Sequence, residues 1–128
     1  MNPFVGNIEE LTETNENFRK VLFTGKFTQL VVMSLKGGEE IGREVHDDVD
    51  QFFRIEEGEA EFIFNDEERY QVKADDAVIV PAGTIHNVVN RSKTDDLKLY
   101  TLYSPPNHPD GTLHATKAEA DAAEEHHH

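Results

Sequence analysis

The sequence predicts an all-β fold, an antiparallel sandwich or barrel of short strands. Between residues 21 and 104, segments rich in β-branched and aromatic residues recur at a spacing of roughly ten residues, separated by turn residues. No long helical period separates these segments, so a parallel sheet with crossover helices is poorly supported. The length of 128 residues is that of one ordinary domain. We therefore expect residues 21–104 to form a single β-barrel domain.

The elements can be assigned in chain order. Residues 1–20 form an N-terminal edge segment, in which residues 8–20 are mostly polar and favour a short helical turn or an edge strand. Glycine, proline, asparagine and aspartate mark the turns between the strands that follow. The predicted strands are Val21–Phe23, Phe27–Leu35, Gly42–His46, Gln51–Glu56, Ala60–Phe64, Arg69–Val72, Ala77–Val80, His86–Asn90 and Leu97–Tyr103.

Residues 105–128 leave the β pattern. The proline-rich stretch 105–111 cannot pair as a central strand, because proline supplies no backbone donor, so we expect an irregular loop over the barrel. Residues 116–125 are rich in alanine and acidic residues, and Thr116 is a suitable N-cap. They predict a short surface helix or a disordered tail. The terminal His126, His127 and His128 resemble the remnant of a purification tag and are not counted as site residues.

Charge and composition exclude several classes of function. The formal net charge is -14, from 26 acidic and 12 basic residues, so the surface repels nucleic acids and anionic membranes. No apolar run approaches the ~20 residues that cross a bilayer, and the N-terminus lacks the pattern of a secretory signal. We therefore expect a soluble, cytoplasmic protein without nucleic-acid or membrane partners. The absence of cysteine restricts any metal to imidazole nitrogen and to carboxylate or amide oxygen.

Four side chains predict a metal site. Glu44 and His46 are two residues apart on a predicted strand and therefore share a face, while Gln51 and His86 lie on neighbouring strands with apolar residues on the same faces. An unpaired imidazole or carboxylate in an interior is costly unless it meets a partner or a cation. Two histidines with one carboxylate suit a divalent ion of Fe, Mn, Ni, Zn or Cu. Gln51 is either a fourth ligand or a donor that orients a bound water or substrate.

The same residues stand in two motifs that resemble those of the cupin superfamily. The first reads Gly38-x5-Glu44-x-His46-x4-Gln51-x6-Gly58, where the family has G-x5-H-x-H-x3/4-E-x6-G. The second reads Asp75-x5-Pro81-x-Gly83-x2-His86-x3-Asn90, where the family has G-x5-P-x-G-x2-H-x3-N. The resemblance covers positions 38–90, and the strand pattern extends it to most of the chain.

What the resemblance implies is a small jelly-roll β-barrel that binds one divalent cation inside. His46 and His86 match motif histidines, whereas Glu44 replaces a histidine and Gln51 replaces a glutamate. Glu44 remains a competent ligand and should favour harder cations. Because an amide cannot take up a proton as a carboxylate does, chemistry that needs a general base at position 51 is lost.

Three functions are consistent with these residues. The first is a metal-dependent, dioxygenase-like enzyme that acts on a small organic molecule; the second is a metal-assisted sugar or hydroxy-acid isomerase; the third is a non-enzymatic small-molecule-binding cupin. We expect Phe53, Asn90 and Tyr100 to line the substrate pocket, with Asn90 alternatively serving as a hydrogen-bonding turn residue. Open strand edges favour a homodimer, and the resemblance implies the same, because cupins commonly form pairs.

Two other polar groups favour simpler interpretations. Asp47, Asp48 and Asp50 lack the ligand order of a calcium loop and indicate a solvated turn. His108 and His114 lie in and after the proline-rich stretch, where surface positions are expected, although that loop could cover the mouth of the barrel.

Overall fold

The computed structural model describes residues 1–125 of the chain, and residues 126–128, with the tag-like histidines, lie outside the described part. Antiparallel strands dominate it, with one short helix near each end. In chain order the elements are α1 (Ile8–Glu13), β1 (Arg19–Thr24), β2 (Gln29–Leu35), β3 (Asp50–Glu57), β4 (Glu59–Phe64), β5 (Glu68–Lys73), β6 (Ala77–Val80), β7 (His86–Val89), β8 (Leu97–Ser104), β9 (Leu113–His114) and α2 (Lys117–Glu125).

The strands form two antiparallel sheets. The larger is six-stranded in the order β6-β3-β8-β2-β1-β9, and the smaller is three-stranded in the order β5-β4-β7. Among the described residues the two sheets do not close into a continuous barrel, but their arrangement is that of a jelly roll. The predicted all-β fold class is confirmed, and no described helix is long and apolar enough to cross a membrane.

The core lies between the two sheets because alternate residues of the facing strands are apolar. Val31, Met33 and Leu35 of β2 have no exposed surface. Phe53 of β3 meets Phe62 of β4 edge to face, with ring centroids 5.0 Å apart. Burying each such side chain contributes about 1.5–3 kcal/mol. This packing fixes β3, β7 and β8, which surround the candidate site.

One predicted strand is largely irregular. The stretch Gly42–His46 was expected to be a strand, but it joins the smaller sheet only through an isolated antiparallel bridge between Glu44 and His86. Gly42 has φ 111°, a backbone conformation that breaks a regular strand and favours glycine. The prediction of a regular strand was therefore wrong, although its centre, Glu44, is paired.

The two ends of the chain are more ordered than the sequence indicated. Strand β1 begins at Arg19, within the segment assigned to the N-terminal edge. The two-residue strand β9, which was not predicted, pairs with β1. The tail forms helix α2, where the Thr116 hydroxyl accepts a hydrogen bond from the Glu119 backbone N–H at 3.1 Å. Of the two alternatives for this tail, the structure has the helix, with the expected cap.

Candidate metal centre

Three of the four predicted ligands meet inside the fold. Glu44, His46 and His86 each offer a ligand atom, and these atoms all lie within 4.8 Å of one another. Glu44 Oε2 is 3.0 Å from His46 Nε2, and the two imidazole rings are 5.4 Å apart between centroids. The side chains of Glu44 and His46 are only 17% and 15% exposed. The cluster is thus a compact, largely buried set of one carboxylate and two imidazoles.

Backbone hydrogen bonds hold these side chains in place. Glu44 and His86 exchange two bonds, with the Glu44 N–H donating to the His86 carbonyl at 2.8 Å and the reverse bond at 2.9 Å. The Gly83 N–H donates to the His46 carbonyl at 2.8 Å, from a turn in which glycine adopts φ 85°. The turn that precedes β7 therefore fixes both histidines. This explains why Gly83 and His86 recur at a set spacing in the second motif.

The protonation of the cluster suits a cation. Burial would raise the pKa of the Glu44 carboxyl, but the hydrogen bond from His46 and the positive charge of Arg19 lower it below its ordinary value. Burial lowers the pKa of His86, against the opposing effect of its bond to the Thr84 carbonyl. At neutral pH the carboxyl is thus ionised and His86 is neutral, which are the forms that bind metals.

The hydrogen bonding of His86 fixes the nitrogen that is free for a metal. Its Nδ1 lies 2.9 Å from the Thr84 carbonyl oxygen, which can only accept, so Nδ1 carries the proton. Nε2 therefore keeps its lone pair. A backbone carbonyl that holds the second ring nitrogen of a histidine is the usual outer support of a metal ligand.

Gln51 contributes a buried oxygen without a partner. Its Nε2 donates to the Thr101 hydroxyl at 3.0 Å, while its Oε1 accepts no hydrogen bond from the described residues. The side chain is on β3 opposite Tyr103 of β8, and the Tyr103 ring meets the ring of His46 edge-on at 6.0 Å. A buried acceptor without a donor calls for a partner outside the protein, and a cation can be that partner. The donor set therefore fits a divalent metal.

Aromatic rings close one side of the cluster. The Phe53 ring lies against the His86 ring, with the two centroids 6.4 Å apart. Phe53, one of the predicted pocket residues, is therefore next to the cluster. Tyr103 is 2% exposed, and its hydroxyl is 3.2 Å from Nε2 of His108. Burial raises the pKa of Tyr103, so its hydroxyl stays protonated and can either donate or accept this bond, according to the tautomer of His108. These rings keep bulk water from the inner side of the cluster.

The other two predicted pocket residues are not brought to the cluster. The Asn90 amide donates to three backbone carbonyls, those of Leu35, Lys36 and Asp95, which is the alternative role as a structural hydrogen-bonding residue. Tyr100 lies on β8 at odd spacing from Thr101 and Tyr103, so its ring is on the opposite face of the sheet, near Phe52.

Sequence reasoning missed some neighbours of the site. Arg19, which is 7% exposed, belongs to a segment that was treated as a polar edge. His108 was expected at the surface, but the loop that carries it is tied to Gln29, whose Oε1 accepts the His108 N–H at 3.0 Å. Burial, and next the charge of Arg19, lower the pKa of His108 to about 4. In the sequence, the position of His108 was indicated only by the prediction that the proline-rich loop could cover the mouth of the barrel.

Comparison with known proteins gives the family and the fold. Residues 31–103 match the cupin domain family. An uncharacterised protein of Bacillus subtilis is 52% identical over 128 residues, which cover 96% of this chain and 68% of that protein. An uncharacterised protein of Acanthamoeba polyphaga mimivirus is 40% identical over 119 residues, 91% of this chain and 74% of its own. A crystal structure of a Bacillus halodurans protein is 46% identical with a TM-score of 0.91, covering 94% of this chain and 95% of its own.

Proposed function

This chain belongs to the cupin domain family, and from that premise we propose that it is a metal-dependent, dioxygenase-like enzyme acting on a small organic molecule. The observation that carries the proposal is the meeting of Glu44, His46 and His86 ligand atoms within 4.8 Å inside the fold. Two imidazole nitrogens and one carboxylate oxygen form the ligand set of mononuclear centres that keep open positions. The family alone does not specify a reaction, so the argument depends on this geometry.

We assign Glu44, His46 and His86 as ligands of one divalent cation, with Gln51 Oε1 as a fourth donor. Fe, Mn, Ni, Zn and Cu all accept such a set. When bound, a redox-active ion supplies a Lewis acid and an electron carrier with open positions for substrate. Glu44 supplies the one negative charge of the set, and the Thr84 carbonyl holds His86 in the tautomer that binds.

The described residues also limit the proton chemistry of the site. Gln51 cannot serve as a base, and Glu44 would be engaged as a ligand of the cation. The Tyr103 hydroxyl stays protonated and is held towards His108, so it can donate a hydrogen bond but does not act as a base at neutral pH. A reaction that depends on a strong protein base is therefore disfavoured. This favours the oxygenase over the metal-assisted sugar or hydroxy-acid isomerase.

Oxygen uptake tests the proposal. Protein loaded separately with iron, manganese, nickel, copper or zinc is mixed with candidate enol and catechol-type compounds, and O2 consumption and product formation are followed. We expect O2 consumption with at least one redox-active metal, none with zinc, and loss of activity in His86→Ala. Turnover that is equal in the zinc form would show an isomerase or another non-redox reaction. Binding of small molecules without any chemical change in every metal form would show a non-enzymatic cupin.

We also propose that the protein is a homodimer that pairs along a sheet edge. Strand β6 is at the edge of the six-stranded sheet, and its Ile79 is 67% exposed. An open edge with an exposed aliphatic side chain favours pairing with a second copy. Sedimentation should give a dimer for the natural sequence and a monomer for Ile79→Lys, while a monomer in both cases would contradict the proposal.

A further inference from the structure

Arg19 is a buried cation whose Nε makes no hydrogen bond. It is 7% exposed and lies on β1 between Met33 of β2 and His114 of β9. Its Nε is buried and donates no hydrogen bond, and within residues 1–125 its guanidinium forms no ion pair with a carboxylate. A buried guanidinium is costly unless an anion or several acceptors meet it. The charge of Arg19 acts on the Glu44 carboxylate, and its guanidinium carbon lies 5.4 Å from the centroid of the Phe18 ring. Its Nε nevertheless remains available for one more acceptor.

Arg19 opens onto a cavity of about 400 Å³ that contains a second orphaned nitrogen. His114, its neighbour across β1 and β9, also lines this cavity, and its Nδ1 is buried without a hydrogen-bond partner. The loop residue His108 and the small residues Ala120 and Ala123 of α2 complete much of the wall. Arg19 Nε and His114 Nδ1 thus both lack a hydrogen-bond acceptor, and both residues line the same small cavity. A ligand group with two acceptor oxygens could bind both nitrogens.

Arg19 and Glu124 are the charged residues that line the cavity. Burial, followed by the positive charge of Arg19, lowers the pKa of both His108 and His114, so these imidazoles are neutral and do not add a competing cation. A neutral His114 can carry its proton on Nδ1 and donate it. The carboxylate of Glu124 is at the exposed rim and is the acidic member of the lining. A planar carboxylate matches the donor fork of a guanidinium better than a spherical anion does.

The cavity adjoins the metal centre through two aromatic side chains. His108 lines the cavity and is 3.2 Å from the Tyr103 hydroxyl, and the Tyr103 ring is 6.0 Å from that of His46. We propose that Arg19 and His114 hold the carboxylate of a small organic acid in this cavity. This anion site does not rest on the proposed function.

Acetate, with acetamide as its neutral isostere, tests the site directly. The full chain is titrated with each compound by calorimetry and NMR, both as purified and after treatment with a chelator, and the metal content of each sample is measured. We expect acetate but not acetamide to bind with and without metal, and to shift the His114 ring signals. Arg19→Gln should weaken acetate binding roughly 10- to 100-fold, the effect of losing a charge-assisted pair.

The chain offers a matched control in Lys20, the next residue of β1, whose side chain is exposed on the other face. Lys20→Gln makes the same change in net charge and should leave acetate binding unchanged. If Arg19→Gln does not fold, His114→Phe keeps a ring, removes the donor and should weaken binding several-fold. Equal binding of acetate by the natural protein and these site variants, or no binding at all, would overturn the anion site. Acetate binding in a protein that takes up no metal would instead reject the proposed function while leaving this site standing.

Discussion

Replacing Gln51 by leucine should change stability little without metal and should reduce the stabilisation that metal provides. In the absence of metal, the natural protein keeps Gln51 Oε1 buried without a hydrogen-bond donor. Such a group costs about 1–3 kcal/mol, which the substitution relieves. The variant also loses the bond from Gln51 Nε2 and leaves the buried Thr101 hydroxyl without its donor, which costs a similar amount. We therefore expect Gln51→Leu to change the free energy of unfolding of the metal-free protein by less than about 2 kcal/mol.

The metal-loaded protein should behave differently. If the amide oxygen is a ligand and its loss weakens metal affinity tenfold, the stabilisation by saturating metal falls by about 1.4 kcal/mol. Urea unfolding, followed by circular dichroism with chelator and then with metal, measures both quantities. A loss of about 2 kcal/mol or more in the chelated variant would refute the reasoning, because it would mean that Oε1 is satisfied within the protein.

Gln29 provides the matched control for this experiment. It is also a fully buried glutamine, but its Nε2 donates to Thr24 and to the His108 carbonyl, and its Oε1 accepts the backbone N–H groups of Asn107 and His108. Gln29→Leu should therefore destabilise the chelated protein by about 2–4 kcal/mol. The contrast between the two glutamines separates the effect of an unmet oxygen from that of the substitution itself.

Three further outcomes follow from the structure. His108 should titrate in NMR with a pKa of about 4. Because this pKa is lowered by folding, the stability that neutral His108 contributes is full above the ordinary pKa of 6.5 and is lost as the pH falls towards 4. A midpoint near 6.5 would contradict the buried position of His108. Asn90→Ala should lower the free energy of unfolding by about 2–4 kcal/mol, because three backbone carbonyls lose a donor. The metal content should not change. A variant that is stable but has lost its metal would assign Asn90 to the site. Glu61, which accepts hydrogen bonds from Arg69 and Arg91, has a pKa lowered to about 2. Its contribution to the free energy of unfolding is therefore present above the ordinary pKa of 4.5 and is lost as the pH falls from 4.5 to 2. Glu61→Gln should reduce this loss of stability at acid pH, measured by urea unfolding, and an unchanged pH dependence would count against the pairing.

The sequence predicted the parts of this molecule that depend on local patterns. Most strand positions followed from β-branched and aromatic segments between turn residues, and the parity of Glu44 and His46 placed both side chains on one face. The irregular run from Gly42 escaped prediction, because a glycine at φ 111° is set by the bridge between Glu44 and His86 rather than by local preference. The pairing of two distant segments cannot be predicted from the sequence of either segment alone.

The surroundings of the centre were less predictable for the same reason. Tyr100 and Phe53 are both strand aromatics, and only the register of β3 with β8 shows that Phe53 faces the cluster while Tyr100 faces away. Arg19 is a common charged residue in a polar segment, where exposure is the usual outcome. Its burial depends on β9 and α2, which cover that end of the sheet after a loop of prolines. No short motif carries this information.

Metal content is the most direct test of the central claim that Glu44, His46 and His86 bind one divalent cation. The protein is prepared without residues 126–128, purified without added metal, and compared with His46→Ala, His86→Ala and, as control, His108→Ala, by elemental analysis and by titration of the chelated forms. We expect about one divalent ion per chain in the natural protein and in His108→Ala, and at least tenfold weaker binding in the other two variants. Full metal content in both His46→Ala and His86→Ala would contradict it.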